Sequence, residues 1–233
     1  MGLPIPSVTL RLKKEGTETM ELKGCKINFL GDSITEGART SGPDYRFSNL
    51  IEAETGAVCR NYGIGGTRIA RQRVPSAKPK HDLDFCSRVA GMDEDADIIV
   101  IFGGTNDFGH GDAPFGTFSD RTPDTFCGAL HTLYSSVIER WPAAHRVVIT
   151  PLHRRGELEP KASNGRYFID YVNAIRETAQ YYAIPVLDLY ASGEIQPAVP
   201  VLMEKFIPDG LHPSDAGHIL LANRIRRFLE TTF

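Results

Sequence analysis

The chain has 233 residues, 41% of them hydrophobic and 24% charged, and its 26 Lys and Arg against 29 Asp and Glu give a net charge of −3. That length suits one large domain or two small ones, and a single core would bury roughly 70–75% of the unfolded chain's surface. The composition excludes a disordered tail, a fibrous repeat and a disulfide miniprotein, and the near-neutral charge argues against a nucleic-acid partner.

Taken in chain order, residues 1–24 form an N-terminal extension. Within it, residues 8–12 and 19–22 read as the arms of a β-hairpin turning at Glu15-Gly16, placed to join a sheet edge or to supply contacts for a homo-oligomer. Residues 1–20 hold no apolar core of the kind a secretory signal needs. No uninterrupted apolar run approaches the ~20 residues that insertion into a membrane requires. Cys25, Cys59, Cys86 and Cys127 stand far apart, without the spacing of a metal finger. They read as reduced thiols, and the expected location is cytoplasmic.

From residue 25 onward short apolar runs alternate with longer amphipathic stretches. Strands are expected at residues 26–30, 58–62, 97–102, 146–150 and 185–189, and helices at 45–55, 82–90, 123–140, 167–182 and 214–231. The run DIIVIF at 97–102 is nearly all apolar, as in a parallel strand covered by helices on both faces. Thr122-Pro123-Asp124 reads as a cap followed by proline at the first helical position, and Pro213-Ser214-Asp215 opens the last helix. The alternation predicts one α/β domain over residues 25–233. It would be a three-layer α/β/α sandwich around a five-stranded, mainly parallel sheet of flavodoxin-like type. Ligands in such a sheet lie beyond the carboxyl ends of the strands, so the residues that follow each strand decide the chemistry.

Strand one ends in Gly31-Asp32-Ser33-Ile34-Thr35. A serine at this sharp strand-to-helix turn either caps the helix or presents its hydroxyl beside free N–H groups. Thr35 stands where the G-x-S-x-G elbow would need glycine, so the ordinary α/β-hydrolase motif is absent. Strand two ends in Asn61-Tyr62-Gly63-Ile64-Gly65-Gly66-Thr67, and Arg68 breaks a dinucleotide fingerprint. Strand three ends in Gly103-Gly104-Thr105-Asn106-Asp107, a turn whose asparagine amide can donate to an oxyanion without adding charge. Before the last helix, Asp209-Gly210-Leu211-His212 sets a carboxylate three residues ahead of a histidine, a spacing that can orient and polarise the imidazole. His218 reads as structural.

These four blocks together resemble the SGNH hydrolase superfamily, the GDSL-type esterases, from about Lys26 to Leu229 and in the family's order. Ser33 matches the family nucleophile, and Asp209 with His212 matches its Asp-x-x-His pair. Asn106 matches the oxyanion asparagine. Gly66 best matches the oxyanion glycine, with Gly65 and Gly63 the other glycines of that block. Ile34 replaces the leucine of the name motif. The resemblance implies a serine esterase with catalytic Ser33, Asp209 and His212, an oxyanion hole of Ser33, Gly66 and Asn106, and no metal or organic cofactor.

Two rivals stand beside it. Asp32, Asp107, Asp209 and His212 could superficially serve a metallophosphoesterase, but there is no Asp-x-His on the first strand and no Gly-His-x-His near the end. A non-catalytic carbohydrate-binding protein would be expected to have lost Ser33 or His212. The partner is therefore expected to be a small-molecule ester, with a lysophospholipase- or thioesterase-type lipid hydrolase of the same family as the alternative reading. Short acyl groups such as acetyl are favoured because no long apolar segment suggests a lid or acyl tunnel, and an acetylated saccharide is one candidate. Asp32, Arg68, Asp107 and Phe108 are the substrate-contact candidates. The loop aromatics Phe108, Phe115 and Phe118 are placed either to stack on a sugar or to pack beneath their own loop. Arg68, Arg71, Arg73, Lys78 and Lys80, with Arg154 and Arg155, form a basic surface, either merely solvated or facing an anionic substrate.

Overall fold

Apolar runs become parallel strands where helices can cover them on both sides. The computed structural model describes residues 19–233 and places β1 at Lys26–Gly31, β2 at Val58–Gly63, β3 at Ile98–Phe102, β4 at His145–Ile149 and β5 at Val186–Leu187. The helices are α1 (Ser33–Glu36), α2 (Phe47–Thr55), α3 (Phe85–Arg88), α4 (Thr105–Gly109), α5 (Phe126–Arg140), α6 (Phe168–Tyr181), α7 (Leu189–Ser192), α8 (Pro200–Phe206) and α9 (Asp215–Thr232). The sheet order is β2-β1-β3-β4-β5 with every pairing parallel. This is the flavodoxin-like order, whose direction of winding reverses between β1 and β3 and opens a crevice there.

Alternation along the strands divides the core into two layers. Ile27, Phe29, Ile98, Val100 and Phe102 pack with Phe47 and Ile51 of α2 and with Leu221, Ile225 and Leu229 of α9. Leu30, Ile99, Ile101 and Val148 face the other way, against α3, α5 and α6. His218, expected to be structural, is fully buried on α9. Its Nδ1 accepts the Phe47 N–H at 3.2 Å and its ring stacks on Phe47 at 5.9 Å, tying α9 to α2. Burial lowers its pKa to about 4, which suits this neutral, accepting role.

Several boundaries differ from the sequence reading. The helix expected from residue 123 starts at Phe126, capped by the Thr125 hydroxyl on the Gly128 N–H, while the Pro123 carbonyl accepts from Arg71. The helix expected at 82–90 contracts to α3 and a following tight turn, because Asp82 spends its carboxylate on Arg68 and the Ser76 N–H. The last strand ends at Leu187, where Asp188 turns outward to cap α7 and pair with Arg176. Residues 19–22, one arm of the expected hairpin, form no strand. There the Met20 N–H bonds the Glu230 carbonyl of α9 and Leu22 is buried in the core. The other arm, residues 8–12, lies outside the described residues. Among the described residues no helix is long and apolar enough to cross a membrane.

Candidate active site

At the carboxyl end of β1 the chain has little room. A Cβ on Gly31 would collide with the Thr35 side chain and approach the Phe102 carbonyl at 3.0 Å. Asp32 then starts α1 by accepting the Ile34 N–H at 3.0 Å. Ser33 is the first residue of that helix, so its own N–H lacks an intrahelical acceptor. Its hydroxyl lies 3.0 Å from His212 Nε2.

The loop before α9 supplies that histidine. Asp209 Oδ1 accepts the N–H groups of Leu211 and His212 at 2.9 and 2.7 Å, a tight turn that throws the imidazole back over the carboxylate. His212 Nδ1 then donates to Asp209 Oδ2 at 2.8 Å, which leaves Nε2 to accept from Ser33. Partial burial opposes the charge on Asp209. The backbone N–H and the ring of His212, with the Leu211 N–H, outweigh it and hold the carboxyl below its ordinary value. Arg39 Nε adds a cation 3.4 Å from the same Oδ2.

The loop after β2 faces Ser33 from the other side. Asn61 Oδ1 takes the Gly63 N–H at 2.9 Å, Glu36 Oε2 takes that of Gly65 at 2.9 Å, and the Ile64 carbonyl takes that of Thr67 at 3.3 Å. Among the described residues the Gly66 N–H has no acceptor. Gly66 adopts φ +80°, and a Cβ there would lie 2.5 Å from His81 Nε2. Of the three candidate glycines, the geometry thus leaves only Gly66 with an N–H to offer. Asn106, 4% exposed, donates from Nδ2 to the Thr67 carbonyl at 2.9 Å, which brings the amide beside Gly66 with one hydrogen still unspent.

Ser33, Gly66, Asn106, Asp209 and His212 are therefore gathered into one site. The substrate-contact candidates behave differently, each turned toward the protein itself. Asp32 is a buried cap whose pKa burial raises to about 6 against the Ile34 N–H. Asp107 accepts the N–H groups of Ile69 and Ala70 at 3.0 and 2.9 Å, and burial pushes it up to about 7 despite them. Arg68, 4% exposed, binds Asp82, His110 Nδ1 and the Gly66 carbonyl. Phe108 is buried against Phe168 and Tyr171 at 5.1 and 5.7 Å, and Phe115 meets Tyr171 at 5.0 Å. Phe108 thus packs beneath its loop, while Phe115 is only half-buried and borders a cavity together with Phe118.

Sequence reading missed Glu36 and Arg88. Arg88 reaches the carbonyls of Tyr62 (2.7 Å) and Gly31 (3.0 Å) and the Thr67 hydroxyl (3.1 Å), and so joins the ends of β1 and β2 to the loop. No local pattern marks either residue, since each acts on backbone more than 20 positions away. Among the described residues no three His, Cys, Asp or Glu side chains gather as a metal ion would require.

The arrangement can do specific chemistry. A hydroxyl beside a carboxylate-oriented imidazole can lose its proton as it attacks, and three nearby donors can receive negative charge on a substrate oxygen. One solved structure is 35% identical to the chain over 90% of it and 98% of its own length, with a TM-score of 0.79. A protein from Lactobacillus plantarum is 28% identical, covering 91% and 99%, with a TM-score of 0.77. A lipase/acylhydrolase from Enterococcus faecalis, 23% identical over 89% and 96%, shares the fold at a TM-score of 0.61. Among curated proteins none matches the chain. The GDSL-like lipase/acylhydrolase family model matches residues 29–220. With that match across the site-bearing sheet, the chain belongs to the GDSL-like lipase/acylhydrolase family, within the SGNH hydrolases that hydrolyse esters through a serine.

Proposed function

We propose that the protein hydrolyses short-chain carboxylic esters, acetyl esters foremost, through an acyl-enzyme on Ser33. The observation that carries this reading is the continuous chain from Ser33 Oγ to His212 Nε2 (3.0 Å) and from His212 Nδ1 to Asp209 Oδ2 (2.8 Å). In the first half-reaction Ser33 Oγ attacks the acyl carbonyl while its proton passes to His212 Nε2. Asp209 keeps the Nδ1–H tautomer and stabilises the imidazolium. Negative charge on the carbonyl oxygen falls to the N–H groups of Ser33 and Gly66 and the free amide hydrogen of Asn106. His212 then returns the proton to the leaving alcohol. A water activated by the same imidazole releases the acid from Ser33.

The preference for a small acyl group is supported by what surrounds Ser33. Gly65, Gly66, Glu36, Asn106 and His212 are compact or polar, and the loop aromatic Phe108 is occupied in packing. Turnover of 4-nitrophenyl acetate, butyrate and octanoate, with acetate release from acetylated oligosaccharides, tests the reading. We expect kcat/KM to fall with chain length and Ser33→Ala to abolish hydrolysis while melting normally, since the Ser33 hydroxyl bonds only His212 among the described residues. Preference for octanoate would overturn the short-acyl assignment, and an active Ser33→Ala would overturn the nucleophile.

A further inference from the structure

The basic surface expected from the sequence divides in two. Arg68 is neutralised by Asp82, and Arg71 pairs with Asp124. The loop after β4 instead delivers three cations with no ion-pair partner among the described residues, Arg154, Arg155 and Lys161, and Lys161 lies close enough to Arg68 and Arg154 to feel both charges. Arg154 Nη1 donates to the carbonyl (2.7 Å) and hydroxyl (3.1 Å) of Thr105, the residue before Asn106. Its guanidinium lies 5.5 and 5.9 Å from the rings of Phe108 and Phe168, and its buried Nε has no acceptor. Burial lowers the Arg154 pKa from its ordinary value against the opposing charges of Asp32 and Glu157. The Arg155 N–H bonds the Gly210 carbonyl at 2.7 Å, next to Asp209, and its Nη2 finds only the weak acceptor Met203 Sδ at 3.3 Å. Lys161 Nζ donates to the Phe108 carbonyl at 2.7 Å.

This loop therefore runs from the helix that carries Asn106 to the turn that carries Asp209. Arg154 and Arg155 border a cavity of about 230 Å³, lined also by Leu158, Gln196 and Pro197. Two carboxylates border it. Glu157 is engaged by the His153 ring at 2.8 Å and the Arg154 N–H at 3.1 Å, while Glu159 is solvent-exposed at the margin. A cation that is half-buried, unpaired and within one residue of an oxyanion donor gains more from an anion than a surface charge would, because solvent screens it less.

We propose that Arg154 and Arg155, supported by Lys161, bind an anionic group of the substrate, so that the enzyme favours esters carrying a carboxylate near the scissile bond. The inference rests on the esterase reading above and adds a substrate class to it.

Matched pairs of esters that differ only in charge test it. On the acyl side, mono-4-nitrophenyl glutarate is compared with its methyl ester; on the alcohol side, 4-acetoxybenzoate with methyl 4-acetoxybenzoate. In at least one pair the wild-type kcat/KM should favour the charged ester by about tenfold or more, the value of one charge-assisted hydrogen bond. That preference should shrink as salt rises from about 20 mM to about 0.5 M. Arg154→Gln and Arg155→Gln should each reduce the charged-to-neutral ratio, chiefly through KM, and the double variant should bring it close to one. Because the ratio is taken within each variant, a general loss from disturbing Thr105 cancels. A wild-type ratio near one in both pairs, or a ratio unchanged in the double variant, overturns the inference while leaving the esterase reading standing. Absence of turnover on every ester overturns both.

Discussion

Asn106 is the residue where fold and reaction make separable demands. Its Nδ2 carries two hydrogens: one satisfies the Thr67 carbonyl at 2.9 Å, and the other has no acceptor among the described residues. Asn106→Ala removes both. Losing the free donor should lower kcat by about 10²–10³, or about 2.7–4 kcal/mol of transition-state stabilisation. KM should move little, because the bond matures only as charge develops on the substrate oxygen. Losing the other donor leaves the Thr67 carbonyl unmet in the interior, costing about 1–3 kcal/mol of stability. At roughly 2–4 °C per kcal/mol for a domain of this size, Tm should drop by several degrees. Asn106→Asp keeps the shape but sets an oxygen against the Thr67 carbonyl, so its kcat should fall at least as far. Steady-state kinetics on 4-nitrophenyl acetate alongside thermal melts separates the two effects. If Asn106→Ala keeps kcat within about threefold, under 1 kcal/mol, while Tm still falls, Asn106 is only a tether for the loop and the oxyanion assignment is wrong.

Three further expectations follow from the site. Gly66→Ala must hold φ near +80° with a side chain and press it against His81, at a cost of about 1–2 kcal/mol; adding His81→Ala should relieve the clash but not restore kcat, and full recovery would show that the N–H had not moved. Asp209→Asn should reduce kcat by about 10³–10⁴ by releasing the His212 tautomer. Since the folded-state pKa of Asp209 is depressed, its stabilisation is present above the unfolded value of about 3.9 and fades as pH falls through the folded value; the wild-type advantage over this variant in unfolding free energy should be flat from about pH 8 to 5 and shrink below 4. Asp107 has the opposite sign: with its folded pKa raised to about 7, its contribution is best below about pH 4 and declines as pH rises through 7. The Tm of the wild type relative to Asp107→Asn should therefore fall between about pH 5 and 8, and a constant difference would refute the burial argument.

The strands were legible because a buried parallel strand must be apolar on both faces, and 97–102 could be little else. Ser33, Gly66 and Asn106 were legible because each follows the end of its strand by a few residues, and Asp209 with His212 because their three-residue spacing stands just before the last helix. Phe108, Asp32 and Asp107 show where that logic stops. A carboxylate or aromatic beside a catalytic-type residue reads the same whether it faces substrate or protein. Only the acceptors required by Ile34, Ile69 and Ala70, and the packing of Phe108 on Phe168, decide the matter. Glu36 and Arg88 were invisible for a related reason: their partners are backbone groups 26 to 57 residues away, and any sufficiently long polar side chain satisfies the local pattern.

Backbone satisfaction also explains why one peptide in the loop after β2 is the donor. A buried N–H left unpaired is costly, so the fold meets such groups wherever it can. The peptide joining Ile64 to Gly65 is held at both ends, its N–H by Glu36 at 2.9 Å and its carbonyl by the hydroxyl and N–H of Thr67 at 2.7 and 3.3 Å. The peptide joining Gly66 to Thr67 is held by that same Thr67 N–H and by Arg68 on the Gly66 carbonyl at 3.4 Å. The peptide between them, which carries the Gly66 N–H, is thus flanked by two pinned units and cannot rotate without breaking one of them. Glu36 and Arg68 never need to touch a substrate to matter. They fix which N–H stays unmet, and an N–H fixed in advance stabilises developing charge without paying for reorganisation during the reaction.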